Sequence, residues 1–299
     1  MMEEEISGLY GHIKKYWKMI PTHHTRAYSV DKGIADIKTV KILTISKSSQ
    51  NWKQIFDCPE LEELHLDQPS HEQVQAVSNL IQLKRLRIKE YRAKDLAFMK
   101  NLVHLEEVAL EYVSGFSDLS PLQYLPNLSS LHLENLRKIS DFGGLKGIKG
   151  LKYLLIDGTL DWKQPIDNFS FLEELPDLEI LSLMFVISRA AFPAFLPALQ
   201  LKNILEIRIP AGIVTTEEYA FLDAALPHVK KGYQNEASWP LYSMRAVGEQ
   251  EYAILLGKGE GKVKLNRSDA KDAIEDYQKK YELYRQKSLE IIKHYYKMQ

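Results

Sequence analysis

The sequence contains a single cysteine, Cys58, among its 299 residues. One cysteine cannot form an internal disulfide, and it excludes a zinc site built from several cysteines. An excess of one charge is also missing, because 39 lysines and arginines stand against 40 aspartates and glutamates, a net charge of -1. Without a positive field, we expect neither nucleic acid nor an anionic membrane surface as the partner.

Long apolar runs are missing as well. No stretch approaches the roughly 20 apolar residues of a transmembrane helix. The N-terminal stretch MMEEEISGLYGHIKKYWKMIP has acidic residues where a secretory leader has basic ones, and it has no long apolar centre. The sequence therefore predicts a cytoplasmic protein with no membrane segment.

What the sequence does contain is a recurring apolar frame of the form L-x-x-L-x-L. Its last positions alternate, which is typical of a short strand, and it returns every 21 to 27 residues. One such unit buries too little to be stable alone, so neighbouring units must stack and cover each other. The frame begins at Val40, Leu61, Leu83, Leu105, Leu128, Leu151, Leu178 and Ile204.

Two segments, FSDLSPLQYLPNLSSLHL (116–133) and ISDFGGLKGIKGLKYLLI (139–156), resemble leucine-rich repeat proteins of the short internalin-like and phosphatase-regulator-like class. The resemblance covers about two-thirds of the chain. It implies an α/β solenoid, a leucine-rich repeat horseshoe of about eight repeats with a parallel sheet on the concave face, and it favours a bacterial source.

The sequence departs from this family at the bend that follows each strand. The family usually has an asparagine there, whose amide satisfies backbone groups. We therefore expect the backbone groups at these bends to pair with each other or with water, in an irregular solenoid. The positions in this sequence are Ser48, Pro69, Tyr91, Val113, Leu136, Thr159, Val186 and Gly212.

The ends of a solenoid need caps, because terminal repeats would otherwise expose core. Residues 1–38 are predicted to form the N-terminal cap, through the near-helical spacing of Leu9, Tyr10, Ile13, Tyr16, Trp17 and Ile20. The solenoid is assigned to 39–232 and the C-terminal cap to 233–299. That cap has short strands within 240–266 and a helix at 269–297.

Two further helices are expected on the convex side. HEQVQAVSNLIQL, which lies between Leu66 and Leu83, has a helical apolar spacing. Thr215 with Glu218 has the spacing of a capping box and predicts a helix through about Leu226.

The chemistry-bearing motifs are weak, and we predict no catalytic residue, metal ligand or cofactor. GKGEGK (257–262) lacks the glycine spacing of a phosphate-binding loop, so a hairpin turn is expected. His23 and His24 are adjacent and would point to opposite faces of an extended chain. Cys58 has no recognisable partner histidine and is predicted to be a small buried apolar residue.

The alternation of side chains along each strand predicts the residues of the concave face. Arg85, Arg87 and Lys89 lie on one strand between two acidic strands, so they either pair laterally or bind a partner. The candidate partner-binding residues are His65, Asp67, Arg85, Arg87, Lys89, Glu111, His132, Glu134, Tyr153, Asp157, Met184, Phe185 and Arg208.

One end of this face is more apolar than the rest. Aromatic and methionine side chains beside charges are typical of protein-binding hot spots. The alternative is that the C-terminal strands or helix fold back and cover them. The residues are Tyr153, Leu155, Ile180, Met184 and Phe185.

We therefore predict a non-catalytic, monomeric module that binds a protein partner through its concave face. Eight strands about 4.8 Å apart give a face roughly 34 Å long, which suits a protein better than a small molecule. One alternative is self-association through the tyrosine-rich C-terminal helix, which could instead dock on the last repeats. The other is an enzyme with a site in the C-terminal segment.

Overall fold

A computed structural model describes residues 15–19, 29–34, 36–232 and 238–299. Within this part of the chain, the main sheet has nine parallel strands, which are arranged in the order in which they occur along the chain. Each turn of the chain adds one strand, as the repeat predicts. The strands are β1 (Ile42–Ser46), β2 (Glu63–Asp67), β3 (Arg85–Arg92), β4 (Glu107–Ser114), β5 (Ser130–Glu134), β6 (Tyr153–Asp157), β8 (Ile180–Met184), β10 (Glu206–Arg208) and β11 (Lys230–Lys231).

The inner leucines stack in one column. Leu131 on β5 pairs with Leu154 on β6, which pairs with Leu181 on β8. All three are fully buried. They belong to one continuous core that runs from Val30 to Tyr281. The fold is a leucine-rich repeat solenoid, and the predicted fold class is confirmed.

The convex side consists mainly of short 3-10 turns and one α-helix. Helix α1 (His71–Val77) confirms the first predicted helix. Ser70 Oγ accepts from Gln73 N at 3.2 Å and Gln73 Oε1 accepts from Ser70 N at 2.8 Å, so the two residues form a capping box. The 3-10 turns are Trp52–Asp57, Ala97–Met99, Ser120–Tyr124, Gly143–Leu145, Ser170–Glu174 and Leu196–Gln200.

Backbone groups at the bends pair with one another, as expected from the missing asparagines. Gln68 N donates to Lys89 O at 3.0 Å, and Asn135 N donates to Asp157 O at 2.9 Å. Two buried glutamines supply amides as well. Gln73 Nε2 donates to Ser46 O at 2.7 Å, and Gln164 Nε2 donates to Ile139 O at 2.6 Å. Different local hydrogen bonds therefore satisfy the backbone groups at these bends, in place of one side chain that is repeated in every turn.

Gln164 belongs to a second, two-stranded parallel sheet beside the bends. Its strands are β7 (Gln164–Ile166) and β9 (Val186–Ser188). This small sheet accounts for the longer repeats after Leu151, because it occupies the extra residues of two successive turns.

The predicted N-terminal cap is described only in part. The 3-10 turn Val30–Lys32 lies against β1, with Val30 fully buried in the main core. Tyr16 and Trp17, which the apolar spacing assigns to the same cap, lie instead on the concave face. Leu9, Tyr10, Ile13, Ile20, His23 and His24 lie outside the described residues.

Helix α2 (Thr216–Ala225) follows β10, where the sequence predicts it. The predicted capping box is wrong. Thr215 precedes the helix, but its side chain caps no backbone N–H among the described residues. The Glu218 carboxylate instead accepts from Ala194 N at 2.8 Å. Burial and this contact with the preceding loop determine the position of Glu218.

After the solenoid, three antiparallel strands precede a long helix, as predicted. The strands are β12 (Tyr242–Val247), β13 (Gln250–Leu255) and β14 (Lys262–Lys264), and the helix is α3 (Ala270–Met298). GKGEGK forms the turn between β13 and β14, where Leu255 N donates to Gly261 O at 3.1 Å. Lys280 on α3 binds Glu260 of this turn at 2.8 Å.

The tyrosine stripe of α3 docks on the end of the solenoid. Tyr281 Oη donates to Asp223 Oδ2 on α2 at 2.6 Å, and Tyr277 Oη donates to Leu256 O. Gln200 Nε2 donates to Tyr295 Oη at 2.8 Å. Of the two arrangements that the sequence left open for this helix, docking is the one observed. Within the described part of the chain, no helix combines the length and hydropathy needed to cross a bilayer.

Candidate functional site on the concave face

The strand register places the predicted concave residues in three columns. His65 lies opposite Arg87, Arg87 opposite Ala109, and Ala109 opposite His132. The flanking columns run through Lys89, Glu111, Glu134 and Asp157 on one side, and through Arg85, Glu107, Ser130 and Tyr153 on the other. All of these positions follow from the alternation of side chains along the strands.

The basic strand β3 pairs laterally with its acidic neighbours. Arg85 Nε binds Glu63 at 2.6 Å, and Arg87 binds Glu111 at 2.6 Å. His65 Nε2 also lies 2.6 Å from Glu63. Burial opposes the ionisation of Glu63, but the hydrogen bonds from His65 and Arg85 outweigh it and lower its pKa. These charges are therefore bound to each other, which is the first of the two alternatives for this strand.

A separate pair lies near the far end of the sheet. Arg208 Nε binds Glu206 Oε1 on the same strand at 2.5 Å, and Arg208 is almost fully buried. The basic candidates Arg85, Arg87 and Arg208 thus each have an acidic partner within the solenoid.

The chain's own residues 15–19, here called the N-terminal segment, lie across the centre of the concave face. Glu107 on β4 accepts hydrogen bonds from two consecutive backbone amides of this segment. Lys18 N lies 2.9 Å from Glu107 Oε1, and Met19 N lies 2.8 Å from Oε2. Ser130 Oγ donates to the backbone carbonyl of Tyr16. The solenoid therefore holds the main chain of the segment from both its donor and its acceptor sides.

Aromatic contacts supplement these main-chain bonds. The Tyr16 ring stacks on Tyr153 with centroids 6.1 Å apart, and Trp17 meets His132 edge to face at 6.4 Å. Trp17 and Met19 are buried in one cluster with three residues of strands β4, β6 and β8, namely Ala109, Tyr153 and Ile180. This cluster is separate from the main core.

Acidic side chains of the solenoid lie near the two lysines of the N-terminal segment. Tyr16 Oη donates to Glu179 Oε2 at 2.6 Å, and Lys15 Nζ lies 3.1 Å from the same oxygen. Lys18 Nζ lies 3.9 Å from Glu106. Burial opposes the ionisation of Glu179, but hydrogen bonds from Tyr16, Lys15 and Lys152 outweigh it and lower its pKa. We call Glu107, Ala109, Ser130, Tyr153, Glu179 and Ile180 the concave seat.

The apolar end of the face is therefore covered, but by a different element from the one considered in the sequence. Tyr153 is covered by the N-terminal segment, whereas the C-terminal strands and α3 pack at the end of the solenoid. Met184 and Phe185 remain half-buried. Phe185 has a φ of 46° at the bend, and its carbonyl accepts from Gln164 N at 2.9 Å.

Next to the concave seat lies a cluster of ionisable side chains. Burial, followed by the neighbouring Glu111, raises the pKa of Glu134 to about 7. Burial and then Glu134 raise the pKa of Asp157 to about 7. Ligand atoms of His132, Glu134 and Asp157 lie within 4.8 Å of one another, so these three residues could hold a metal ion. We call Glu111, His132, Glu134 and Asp157 the carboxylate cluster.

The remaining candidates for chemistry have structural roles. Cys58 is fully buried, its Sγ lies 3.2 Å from Gln54 O, and burial raises the pKa of its thiol, which agrees with the predicted apolar role. A cavity of about 140 Å³ lies between the last repeat and Trp239, in the region considered for a C-terminal enzyme site. Ligand pockets usually have 300–1,000 Å³.

Three polar residues of the concave seat, Glu107, Ser130 and Glu179, are missing from the predicted site. Glu107 and Ser130 lie in a concave column by alternation, but the strand pattern does not indicate that their side chains bind main-chain groups. Glu179 precedes β8 and faces the N-terminal segment from the strand's edge. The sequence feature that could have indicated this contact is the basic and aromatic run KKYWKM near the N-terminus, because it complements an acidic and aromatic surface.

No known protein-family model matches this chain, and no curated protein sequence matches it. Among solved structures, an internalin of Listeria monocytogenes is 20% identical with a TM-score of 0.42, over 64% of this chain and 66% of that chain. Internalin C2 of the same species is 19% identical with a TM-score of 0.40, over 57% and 67%.

A leucine-rich repeat protein of Leptospira interrogans is 16% identical with a TM-score of 0.36, over 64% of this chain and 59% of that chain. The leucine-rich repeat fold of the present chain follows from its own strand register and stacked leucines.

Proposed function

We propose that this chain is a non-catalytic recognition module whose concave face binds a protein partner. The observation that supports this most directly is the way the concave seat holds the N-terminal segment. Glu107 and Ser130 bind main-chain groups that every peptide has, while Tyr153 and Ile180 contact side chains. An open surface that binds main chain and side chains together is suited to a polypeptide.

The dimensions of the face agree with a protein partner. The nine strands at about 4.8 Å spacing span a length typical of standard protein interfaces. The carboxylate cluster and the half-buried Met184 lie along the same face beside the concave seat. We propose the cytoplasm as the location, and no nucleic acid or membrane as partner.

Two other functions receive less support. Self-association through α3 would require its tyrosine stripe, but Tyr277 and Tyr281 are buried against the solenoid. An enzyme with a C-terminal site would need an enclosed volume larger than about 140 Å³.

Site-specific photo-crosslinking in cells of the source organism tests the proposal. A photoreactive phenylalanine analogue placed at Lys89 or Met184, on the concave face, should form a covalent adduct with a discrete protein partner. The matched control is Tyr124, which is 57% exposed on the convex 3-10 turn Ser120–Tyr124. Adducts from Tyr124 alone, or from all three positions equally, would contradict a concave binding site.

A further inference from the structure

The N-terminal segment occupies the concave seat in the manner of a ligand. We propose that residues 15–19 are an internal competitor for the partner, and that the partner presents a short segment with two adjacent aromatic side chains flanked by lysines. This inference rests on the proposed function, since it names the chemistry and the regulation of the same face.

The main-chain bonds indicate that the concave seat accepts peptides in general. Glu107 is 2% exposed, and burial raises the pKa of its carboxyl while the amides of Met19 and Lys18 oppose that rise. A buried carboxylate is stable only when donors satisfy it. Two consecutive backbone amides meet this requirement with any residue type except proline, so a partner segment can replace the internal one at Glu107.

The side-chain contacts determine which peptides fit. Tyr16 stacks on Tyr153 and reaches Glu179 with its hydroxyl, so this position favours a tyrosine. Trp17 packs against Tyr153 with ring centroids 6.2 Å apart and against His132. Lys15 and Lys18 lie near Glu179 and Glu106, so the concave seat favours basic residues on both sides of the aromatic pair.

Competition follows because both ligands need the same atoms. A tethered segment has an effective concentration in the millimolar range. A partner peptide therefore binds only the fraction of molecules whose concave seat is open, and its apparent affinity is reduced by that fraction. Release of the N-terminal segment would raise partner binding without any change in the solenoid.

The test uses full-length protein and a fluorescent synthetic peptide of residues 13–21, IKKYWKMIP. The double variant Tyr16→Ala/Trp17→Ala removes the two side chains that hold the segment. We expect this variant to bind the peptide at least tenfold more tightly than the wild-type chain. A peptide with the same composition in scrambled order should bind the Tyr16→Ala/Trp17→Ala variant at least tenfold more weakly, because it keeps the main-chain bonds but misplaces the side chains.

Two further variants serve as controls. Phe56→Ala/Tyr124→Ala removes two aromatic side chains that are 41% and 57% exposed on the convex 3-10 turns Trp52–Asp57 and Ser120–Tyr124, and it should bind like the wild type. Adding Glu107→Gln to the Tyr16→Ala/Trp17→Ala variant should weaken peptide binding at least tenfold. The glutamine side chain has one acceptor oxygen, whereas the carboxylate has two. Thermal unfolding should be cooperative in each variant.

The outcomes separate this inference from the proposed function. If the wild-type chain and the Tyr16→Ala/Trp17→Ala variant bind the peptide with equal affinity, the proposed competition is wrong. If the Tyr16→Ala/Trp17→Ala variant is folded but does not bind the peptide, the proposed partner segment, an aromatic pair flanked by lysines, is wrong. If either result is found while photoreactive groups at Lys89 or Met184 still crosslink to a cellular partner, the proposed recognition function is retained and only the internal competitor is rejected. If neither the wild-type chain nor the Tyr16→Ala/Trp17→Ala variant forms these crosslinks, the proposed function itself is wrong.

Discussion

The ring of Tyr16 lies stacked on the ring of Tyr153, with the two centroids 6.1 Å apart. The two residues are separated by more than a hundred positions in the sequence, and neither belongs to the main core of the solenoid. Their contact shows that the concave face already holds a peptide segment.

The carboxylate cluster should make stability depend on pH. Glu134 and Asp157 have pKa values of about 7 in the folded chain, above the roughly 4 of unfolded carboxyls. The folded state therefore binds more protons than the unfolded state between about pH 4 and 7. The free energy of unfolding should fall as pH rises through this range, by on the order of 1 kcal/mol per pH unit near pH 6.

The control for this prediction is Glu134→Gln/Asp157→Asn, measured by urea unfolding at pH 5, 6, 7 and 8. Both side chains then stay neutral, so the variant should lose most of the slope and be more stable than the wild type at pH 8. Glu218, whose pKa burial also raises to about 7, titrates in both proteins and cancels in the comparison. Parallel pH profiles for the two proteins would refute the prediction.

Lys231 should be far more important for stability than its neighbour Lys230. Lys231 is fully buried, donates to Leu226 O at 2.7 Å, and lies 3.6 Å from Asp223. Lys231→Met leaves the buried Asp223 without its cation, which costs about 3–5 kcal/mol. Lys230 is exposed, so Lys230→Met should cost less than about 0.5 kcal/mol. Chemical denaturation measures both, and equal costs would contradict the assigned role of Lys231.

Gly158 should tolerate no side chain. A Cβ at this position would overlap Phe185 O and lie 2.7 Å from Gln164 N and from Trp162 O. Gly158→Ala should therefore destabilise the protein by about 2 kcal/mol or more. In the matched Gly143→Ala variant the Cβ meets only the Asp141 side chain, at 3.0 Å, and we expect a change below about 1 kcal/mol. Thermal unfolding distinguishes these results, and a neutral Gly158→Ala would disagree with the close backbone approach.

The full-length chain should be a monomer. The apolar stripe of α3 is used within the chain, because Tyr277 and Tyr281 are buried and Tyr281 binds Asp223. Sedimentation velocity at micromolar concentration should show one species with the mass of a single chain. A concentration-dependent dimer would instead favour self-association through the remaining exposed residues of this helix, such as Leu283, which is 55% exposed.

Much of the solenoid follows from the spacing of apolar residues. The recurring frame predicts the strands, the stacked column of Leu131, Leu154 and Leu181, and the registers of the three concave columns. This is because strand geometry repeats every two residues and the sheet repeats every turn. The stripe of α3 likewise indicates a helix that must pack on something.

Contacts between distant parts of the chain are harder to predict. Glu218 has the sequence position of a capping residue, but the loop at Ala194 offers it a donor that a local pattern does not reveal. The N-terminal segment has the spacing of a cap, whereas its aromatic residues fit a complementary surface several repeats away. In both cases tertiary contacts, which single-sequence patterns do not encode, outweigh the local preference.

The most direct measurement of the central claim is zero-length carbodiimide crosslinking of the full-length chain, read out by peptide mass spectrometry. Lys152 Nζ lies 3.3 Å from Glu179 within the solenoid, so its crosslink verifies that Glu179 reacts. Lys15 Nζ lies 3.1 Å from the same carboxylate, and we predict a Lys15–Glu179 crosslink in the monomer. A Lys152–Glu179 crosslink without the Lys15–Glu179 crosslink would show that the N-terminal segment does not occupy the concave seat.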